Sequence, residues 1–348
     1  MIHPKLISPE TIAVIGGSDN PQSPGGKILE NLLNNQYKGK IYVVNPKKDK
    51  VKNLPTYKHV SELPENIDTA IIAIAAKYVL DTVKILADEK NTRGFIIISA
   101  GFSDTGEEGR KLEEQIVAEI EKHGGSLLGP NNIGLINQHY AGVFTTPVPQ
   151  LDPHGIDMIS GSGATAVFII EAAMQSGLTF NSVWSVGNSA QIGVEEVLEY
   201  MDETHTPESP KIKMLYIESI AKPQKFLQHS RSLIEKGCKI VAVKAGSSQA
   251  GSRAAGSHTG ALASPDMAVE ALFDKAGIIR AYGRNEMINL AAVLRYGLPE
   301  GNNMAIVTHA GGPGVMLTDV LEKNGINIPE IKGEKRKNCA KNSFRAVA

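Results

Sequence analysis

Short apolar runs alternate with amphipathic segments along most of the chain, and this alternation predicts an α/β fold. Thr11–Ile15 is followed by a segment, beginning near Lys27, whose apolar residues recur at helical spacing, and then by the apolar run Ile41–Val44. Near-continuous apolar runs at residues 67–75 and 94–99 are typical of strands buried on both faces of a parallel sheet. The repeated strand–helix unit predicts a doubly wound domain.

The same pattern recurs in the second half of the chain. Apolar runs at residues 156–159, 183–186, 212–217 and 239–243 alternate with glycine-containing turns and helical segments. The proline-rich stretch at residues 145–153 is typical of a linker. We therefore predict one α/β domain on each side of it.

A third, shorter region begins near residue 299. Met304–Thr308 predicts a strand, and a glycine-rich turn and a helix through about Lys323 follow it. One strand and one helix are too little to close a sheet. We expect the domains to be residues 1–150, 151–298 and 299–348, the last an incomplete α/β domain.

The longest predicted strand-to-helix loop, residues 244–265, is rich in glycine and serine and contains one histidine, His258. Glycine lets the backbone approach a ligand, and serine adds hydroxyl donors. His258 could be a general base, a nucleophile, a metal ligand or an ordinary turn residue. The loop holds no other His, Cys or carboxylate to complete a metal site, whereas its donors suit an anion. Two interpretations of His258 therefore remain: it carries a phosphoryl group, or it is an ordinary turn residue.

The first predicted helix follows a glycine-rich turn that begins at Gly16. Helix N-terminal amides favour a phosphate there, although the glycine spacing is not G-x-G-x-x-G. The second strand ends in Asn45-Pro46-Lys47-Lys48, where an NAD site would carry an acidic residue. The lysines favour coenzyme A or NADP over NAD; a solvated basic turn is the alternative.

Glycine turns also follow strands in the second predicted domain, at residues 160–163 and 187–189. Serine at such a turn can cap the next helix, whose N-terminus can hold an anion. Glu218 ends the strand at residues 212–217. It could be a solvated carboxylate, or it could accept a hydrogen bond from the His258 ring and set its tautomer.

Composition narrows the classes of function. The 348 residues have a net charge of −1, which removes any general argument for nucleic acid or a membrane surface. The two cysteines, Cys238 and Cys339, are far apart, which fits a reducing compartment. No secretory leader and no apolar run near ~20 residues is evident, so we expect a cytoplasmic protein.

With these motifs the sequence resembles the NDP-forming acyl-CoA synthetases, most of all the α subunit or α half of ADP-forming acetyl-CoA synthetase, over residues 5–330. In Gly256–Ala261, the most specific match, the family's phosphorylated histidine falls on His258. Glu218 matches the carboxylate that orients this histidine. The resemblance implies a Rossmann-like CoA-binding domain followed by a flavodoxin-like domain of the succinyl-CoA synthetase type.

The resemblance also assigns binding residues around the catalytic pair His258 and Glu218. The CoA-binding candidates are Gly16, Gly17, Ser18, Ser23 beside Pro24, Asn45, Pro46, Lys47, Ala100, Gly101, Phe102 and Asn131. The phosphate-binding candidates are Ser160, Gly161, Ser162, Gly163, Gly256, Ser257, Thr259 and Gly260. No metal ligand is assigned to this chain.

In this family, acyl-CoA and phosphate give an acyl phosphate, and the histidine carries the phosphoryl group to ADP on an ATP-grasp partner. No ATP-grasp region is recognised in the 348 residues, so the resemblance implies a separate β subunit with Mg²⁺ and ATP or ADP, and a hetero-oligomer. An NADP-dependent oxidoreductase and a non-catalytic module that senses CoA or nucleotide are the alternatives.

Overall fold

The structure is a computed structural model that describes residues 2–35, 37–248, 250–251, 253, 265–296 and 300–331. Its contacts divide the chain into two compact units. The larger unit ends at Arg295 and the smaller begins at Tyr296. None of the helices in the described ranges is both long enough and apolar enough to cross a bilayer.

A mostly parallel sheet of seven strands forms the N-terminal half of the larger unit, in the order β3-β4-β2-β1-β5-β6-β7. Only the short β3 runs antiparallel to its neighbour. The strands are β1 Thr11–Ile15, β2 Lys40–Val44, β3 Lys50–Val51, β4 Leu54–Tyr57, β5 Thr69–Ile72, β6 Gly94–Ile97 and β7 Ser126–Leu128. The helices are α1 Pro4–Ile7, α2 Pro24–Asn34, α3 Val79–Glu89 and α4 Glu107–Lys122. Every residue of β5 and β6 is buried, as the apolar runs predicted.

Helix α2 begins at Pro24, three residues before the predicted start at Lys27. Ser23 caps it, because its Oγ accepts a hydrogen bond from the Gly26 amide at 3.2 Å. Proline suits the first helical position, where no intrahelical acceptor is available for an N–H. The apolar periodicity therefore detected the amphipathic part of the helix but not its capped first turn.

A second sheet of seven strands follows, in the order β14-β13-β12-β10-β11-β8-β9. Strands β10 to β14 are parallel, and β8 is antiparallel to both of its neighbours. The strands are β8 Gly134–Ile136, β9 Ala141–Val143, β10 Leu151–Ser160, β11 Phe180–Ser185, β12 Ile212–Ile217, β13 Lys239–Lys244 and β14 Ile279–Ala281. The helices are α5 Gly163–Gln175, α6 Val194–Glu203, α7 Pro223–Glu235, α8 Asp266–Ala276 and α9 Arg284–Arg295. The predicted class of two doubly wound α/β sheets is confirmed.

Strands β8 and β9 join the second sheet although they precede the proline-rich stretch. Asn31 on α2 ties them back to the first sheet, because its Nδ2 donates to Val143 O at 2.7 Å and to Thr145 O at 2.9 Å. The two sheets are therefore connected by more than the linker. The domain boundary near residue 150 stays a prediction.

In the smaller unit, the predicted helix is present as α10, Gly311–Lys323. The prediction of a strand at Met304–Thr308 is wrong, because the structure assigns no strand to these residues. Only Asn303 forms a β-bridge there, with Asn327. The pairing with Asn327 extends only to Met304, whose amide donates to Asn327 O at 2.9 Å. Within the described part of this unit no strand pairs with residues 305–308, and a strand needs such a neighbour to take up its backbone hydrogen bonds.

Candidate active site

A cleft of about 690 Å³ lies at the carboxyl ends of strands from both sheets. Its walls bring together candidates that are far apart in the sequence: Ala100 and Asn131 from the CoA-binding set, Gly161, Ser162 and Gly163 from the phosphate-binding set, and Glu218. Ligands of open α/β sheets bind outside the carboxyl ends of the strands. This cleft is therefore the candidate active site.

The turn between β10 and α5 forms one wall of the cleft. Ser162 caps α5, since its Oγ accepts from the Thr165 amide at 3.4 Å, and Ser160 Oγ donates to Ser162 O at 2.7 Å. The Gly163 and Ala164 amides stand at the start of the helix, where no intrahelical acceptor is available to them. Both residues line the cleft, so the helix N-terminus can bind an anion there.

Glu218 follows β12 and lies beside this turn. The Gly161 amide donates to Tyr216 O at 3.0 Å, and a Cβ on Gly161 would lie 3.5 Å from Glu218 Cγ. Strand β13 pairs in parallel with β12, and the Ala245 amide donates to Ile217 O at 2.8 Å. The glycine- and serine-rich loop thus leaves the sheet next to Glu218. Its candidates His258, Gly256, Ser257, Thr259 and Gly260 lie outside the described residues.

The first glycine turn is packed tightly against α2. Gly16 has a φ of +86°, and a Cβ there would lie 2.5 Å from Ala73 O. A Cβ on Gly25 would lie 2.1 Å from Gly16 O, so only glycine fits both positions. Pro24 and Ala73 line the cleft. Gly16, Gly17, Ser18 and Ser23 are not among its lining residues, so the cleft reaches only the edge of this turn.

Asn45 holds the turn after β2. Its Nδ2 donates to Gly17 O at 2.8 Å, and its Oδ1 accepts from the Lys47 amide at 2.9 Å. Lys48 forms an ion pair with Asp19 at 2.7 Å. Pro46 and Lys47 are exposed, and neither they nor Asn45 line the cleft. The structure therefore joins these candidates to the glycine turn rather than to Glu218.

Ala100, Gly101 and Phe102 have different surroundings. Ala100 lines the cleft, whereas the Gly101 and Phe102 amides donate to the Asp104 carboxylate at 3.0 and 2.9 Å. The Phe102 side chain is fully buried in the core. Burial raises the pKa of Asp104, but these two amides and the Asn188 side chain outweigh it and hold the pKa below its ordinary value. Asp104 thus stays ionised and shapes this loop.

Asn188 is a site residue for which the sequence interpretation named only the surrounding turn. Its Nδ2 donates to Ser103 Oγ at 3.0 Å, Asp104 Oδ1 at 3.2 Å and Glu113 Oε2 at 3.0 Å. Its Oδ1 accepts from Asn131 Nδ2 at 3.2 Å. The turn after β11 is thereby joined to two loops of the first sheet. Only the nearness of these loops in space reveals the role.

Two further side chains in the cleft were not among the candidate site residues. Glu195, in the first turn of α6, is buried, and its Oε1 accepts from the Lys222 amide at 2.9 Å. Asn132 is also buried and lines the cleft beside Asn131. A glutamate in a first helical turn and an asparagine in a loop are both common for local reasons, so neither stands out in a sequence.

A cluster of possible metal-ligating side chains lies outside the cleft. His123 Nε2 is 2.9 Å from Asp88 Oδ1 and 3.3 Å from Glu119 Oε1, and their ligand atoms lie within 4.8 Å of one another. Lys122 Nζ is 3.0 Å from the same Glu119 oxygen. A lysine ammonium in this position would compete with a cation. We therefore interpret these four side chains as a partly exposed ion-pair network rather than as a metal site.

Family models and relatives agree with this geometry. A CoA binding domain model matches residues 10–138, and a succinyl-CoA ligase like flavodoxin domain model matches residues 153–294. The chain is 37% identical over 327 residues to the acetate–CoA ligase [ADP-forming] II subunit alpha of Pyrococcus furiosus, covering 94% of this chain and 70% of that one. It is 36% identical to the acetate–CoA ligase [ADP-forming] I of Archaeoglobus fulgidus, covering 95% of this chain and 47% of that one.

A solved structure extends the likeness to the fold. The dinucleotide-forming acetyl-coenzyme A synthetase 1 of Candidatus Korarchaeum cryptofilum, in complex with phosphate and ADP, superposes with a TM-score of 0.82 at 29% identity. The superposition covers 99% of this chain and 73% of that one. The chain thus spans about three quarters of this structure, and about half of the Archaeoglobus relative. The chain belongs to the family of ADP-forming acetate–CoA ligases and corresponds to their α-subunit portion.

Proposed function

We propose that the chain is the α component of an ADP-forming acyl-CoA synthetase. It interconverts acyl-CoA, phosphate and a nucleoside diphosphate with a carboxylate, CoA and a nucleoside triphosphate, through an acyl phosphate and a phosphohistidine. The observation that carries the proposal is the single cleft lined by Ala100, Asn131, Gly161–Gly163 and Glu218. CoA-side loops and an anion-binding helix N-terminus share that space, as a reaction between a thioester and phosphate requires.

The first step is attack by a phosphate oxygen on the thioester carbonyl carbon. The carbon–sulfur bond breaks, and the CoA thiolate leaves and takes up a proton. The amides of Gly163 and Ala164 would hold the phosphate, since they stand at the N-terminus of α5 and line the cleft. Amide dipoles fixed in place also stabilise charge that develops during such a transfer.

The second step moves the phosphoryl group onto His258. A neutral imidazole nitrogen attacks the phosphorus atom, the bond to the acyl oxygen breaks, and a carboxylate is released. Glu218 would accept a hydrogen bond from the other ring nitrogen and orient the ring. The position of Glu218 supports this role. Glu218 lines the cleft and follows β12, which pairs with β13, the strand before the loop that contains His258.

We infer that CoA lies across the strand ends of the first sheet. Its pyrophosphate would lie near Gly16–Ser18, and Lys47 would approach the 3′-phosphate. Two observations support this arrangement. Lys47 is exposed, and the Asn45 side chain forms hydrogen bonds with both the Lys47 amide and Gly17 O. The same features suit NADPH, so an NADP-dependent oxidoreductase is the competing function. Calorimetric titration with CoA and NADPH separates the two, and tighter binding of NADPH would contradict the synthetase.

The last step needs a partner. We infer a separate ATP-grasp β subunit that binds Mg²⁺ with ADP or ATP, forms a hetero-oligomer with this chain in the cytoplasm, and receives the phosphoryl group from His258. The name of the Pyrococcus relative, subunit alpha, supports a second subunit. The serine- and glycine-rich sequence before His258 would allow the loop to move between sites.

The deciding experiment labels the carrier. The chain, with its β subunit, is incubated with acetyl-CoA and radioactive phosphate, and the protein-bound label is tested in acid and in base. We expect a label that is acid-labile and base-stable, absent from His258→Asn and reduced at least about tenfold in initial rate in Glu218→Gln. Normal turnover of His258→Asn with the β subunit would contradict the mechanism.

A further inference from the structure

Asn132 has an unusual environment for a buried polar side chain. It is 3% exposed and lines the cleft, yet within the described part of the chain neither Nδ2 nor Oδ1 has a hydrogen-bond partner. A Cβ on Gly129 would lie 2.2 Å from Asn132 Nδ2, so the amide is packed closely against that glycine. Buried amides without partners are unfavourable and rare in native proteins. An amide left unpaired in a cleft points to a ligand.

The position of Asn132 limits which part of a ligand it can reach. Its neighbour Asn131 donates its backbone N–H to Ser99 O at 3.0 Å, on the CoA side of the cleft. On its other side, a Cβ on Gly163 would lie 2.6 Å from Ile133 Cγ2, so the phosphate-binding turn packs against the next residue. Asn132 therefore lies where the CoA-side loop meets the phosphate turn. The reacting end of an acyl-CoA has to be placed at that junction.

The amide group selects among the possible ligands. It offers N–H donors on Nδ2 and an acceptor on Oδ1. Phosphate oxygens are mainly acceptors and would leave Oδ1 unpaired. The thioester end of an acyl-CoA presents a carbonyl acceptor and, two methylenes from the sulfur, an amide N–H donor. Free CoA presents only the second of these two groups.

We propose that Asn132 binds the thioester end of acyl-CoA. Nδ2 donates to the acyl carbonyl oxygen, and Oδ1 accepts from the nearest pantetheine N–H. The inference rests on the proposed function and deepens it, because it assigns to one side chain the distinction between acyl-CoA and free CoA. Asn132 would also hold the carbonyl at the junction where phosphate attacks.

Ligand binding tests the assignment directly. The full chain and Asn132→Leu, an apolar variant of similar size, are titrated calorimetrically with acetyl-CoA and with CoA. We expect acetyl-CoA affinity to fall about tenfold and CoA affinity about threefold, since two hydrogen bonds are lost in one case and one in the other. An equal fall for both ligands, or none, would overturn the role of Asn132. A wild-type chain that binds neither ligand would instead overturn the proposed function and this inference with it.

Unfolding without ligand provides an independent readout. Because its amide is unpaired, Asn132→Leu should leave the melting temperature unchanged or raise it by a few degrees. The matched control is Asn137→Leu: Asn137 is also buried, at 7% exposure, but its Nδ2 donates to Ile7 O and its Oδ1 accepts from the His139 and Tyr140 amides. That variant should melt at a lower temperature. A fall in Asn132→Leu as large as in the control would show a structural asparagine and overturn the inference.

A second variant covers the case in which leucine does not fold at position 132. Asn132→Asp keeps the shape and the acceptor and removes the donor. We expect it to bind CoA with little change and acetyl-CoA about tenfold more weakly. Retention of the wild-type ratio of the two affinities would overturn the proposed contact with the carbonyl.

Discussion

Lys47 is an exposed residue at the turn where a dinucleotide site would distinguish its ligands. The structure joins this turn to Gly17 through Asn45. If Lys47 meets the 3′-phosphate of CoA, Lys47→Ala should bind CoA about three- to tenfold more weakly and leave dephospho-CoA binding unchanged. Calorimetric titration with both ligands measures the difference.

Lys48→Ala is the matched control for this prediction. Its ammonium already pairs with Asp19 at 2.7 Å, so its removal should affect the two ligands equally. An identical loss of CoA and dephospho-CoA affinity in Lys47→Ala would place the lysine away from the 3′-phosphate.

Asn131 and Asn132 show which properties of single residues a sequence does not reveal. Asn131 was predicted from its motif, whereas the neighbouring Asn132 was not, although both line the cleft. The difference between them is one of hydrogen bonding: Asn131 donates to Asn188, and Asn132 has no partner among the described residues. Hydrogen bonds to residues more than fifty positions away are not visible in local sequence.

At the scale of elements, the N-terminus of helix α5 has a structural role as a capped helix end and, in our proposal, also binds phosphate. Ser162 caps it, and the amides that Ser162 does not engage line the cleft. Ser162→Ala should lower the free energy of unfolding by about 1 kcal/mol, because an N-terminal donor loses its acceptor. It should also slow formation of the labelled phosphohistidine about threefold or more, since the first turn of the helix frays.

Ser162→Thr keeps a hydroxyl that can cap the helix and should retain most of both properties. Denaturant unfolding and the phosphate-labelling rate are the two measurements. If Ser162→Ala loses stability but labels at the wild-type rate, the helix N-terminus does not hold the phosphate.

Most elements could be predicted because burial on both faces leaves a clear apolar run in each central strand. The runs at residues 11–15 and 212–217 match strands residue for residue, and β5 and β6 lie within the predicted runs. The error at residues 304–308 has a physical reason. An apolar run becomes a strand only when a neighbour accepts its backbone hydrogen bonds, and periodicity does not report the neighbour.

At the scale of the larger unit, Asn188 connects the two sheets through Asn131, Ser103, Asp104 and Glu113. Asn188→Ala should lower the free energy of unfolding by about 1–3 kcal/mol, because the buried Glu113 and the half-buried Ser103 and Asp104 lose their donor. It should also weaken CoA binding several-fold, because the loop that carries Ala100 loses its support.

Asn188→Asp tests the contacts with the two carboxylates more directly than Asn188→Ala does. It has the same shape but places a third carboxylate beside Asp104 and Glu113, so it should be less stable than Asn188→Ala at neutral pH. Thermal unfolding ranks the three proteins. An aspartate variant as stable as the wild type would show that Asn188 does not join the sheets through these carboxylates.

The sequence by itself determined the α/β class, most strands, the glycine turns and the family, because periodicity and short motifs are local properties of a chain. Only the tertiary structure decided that Ala100, Asn131, Gly161–Gly163 and Glu218 share one cleft, and that Gly101 and Phe102 turn to Asp104 instead. Only it showed the unpaired amide of Asn132 and the bridge at Asn188. The reason is physical: a binding site is formed by strand ends that the sheet order brings together, and its polar groups are defined by partners distant in sequence.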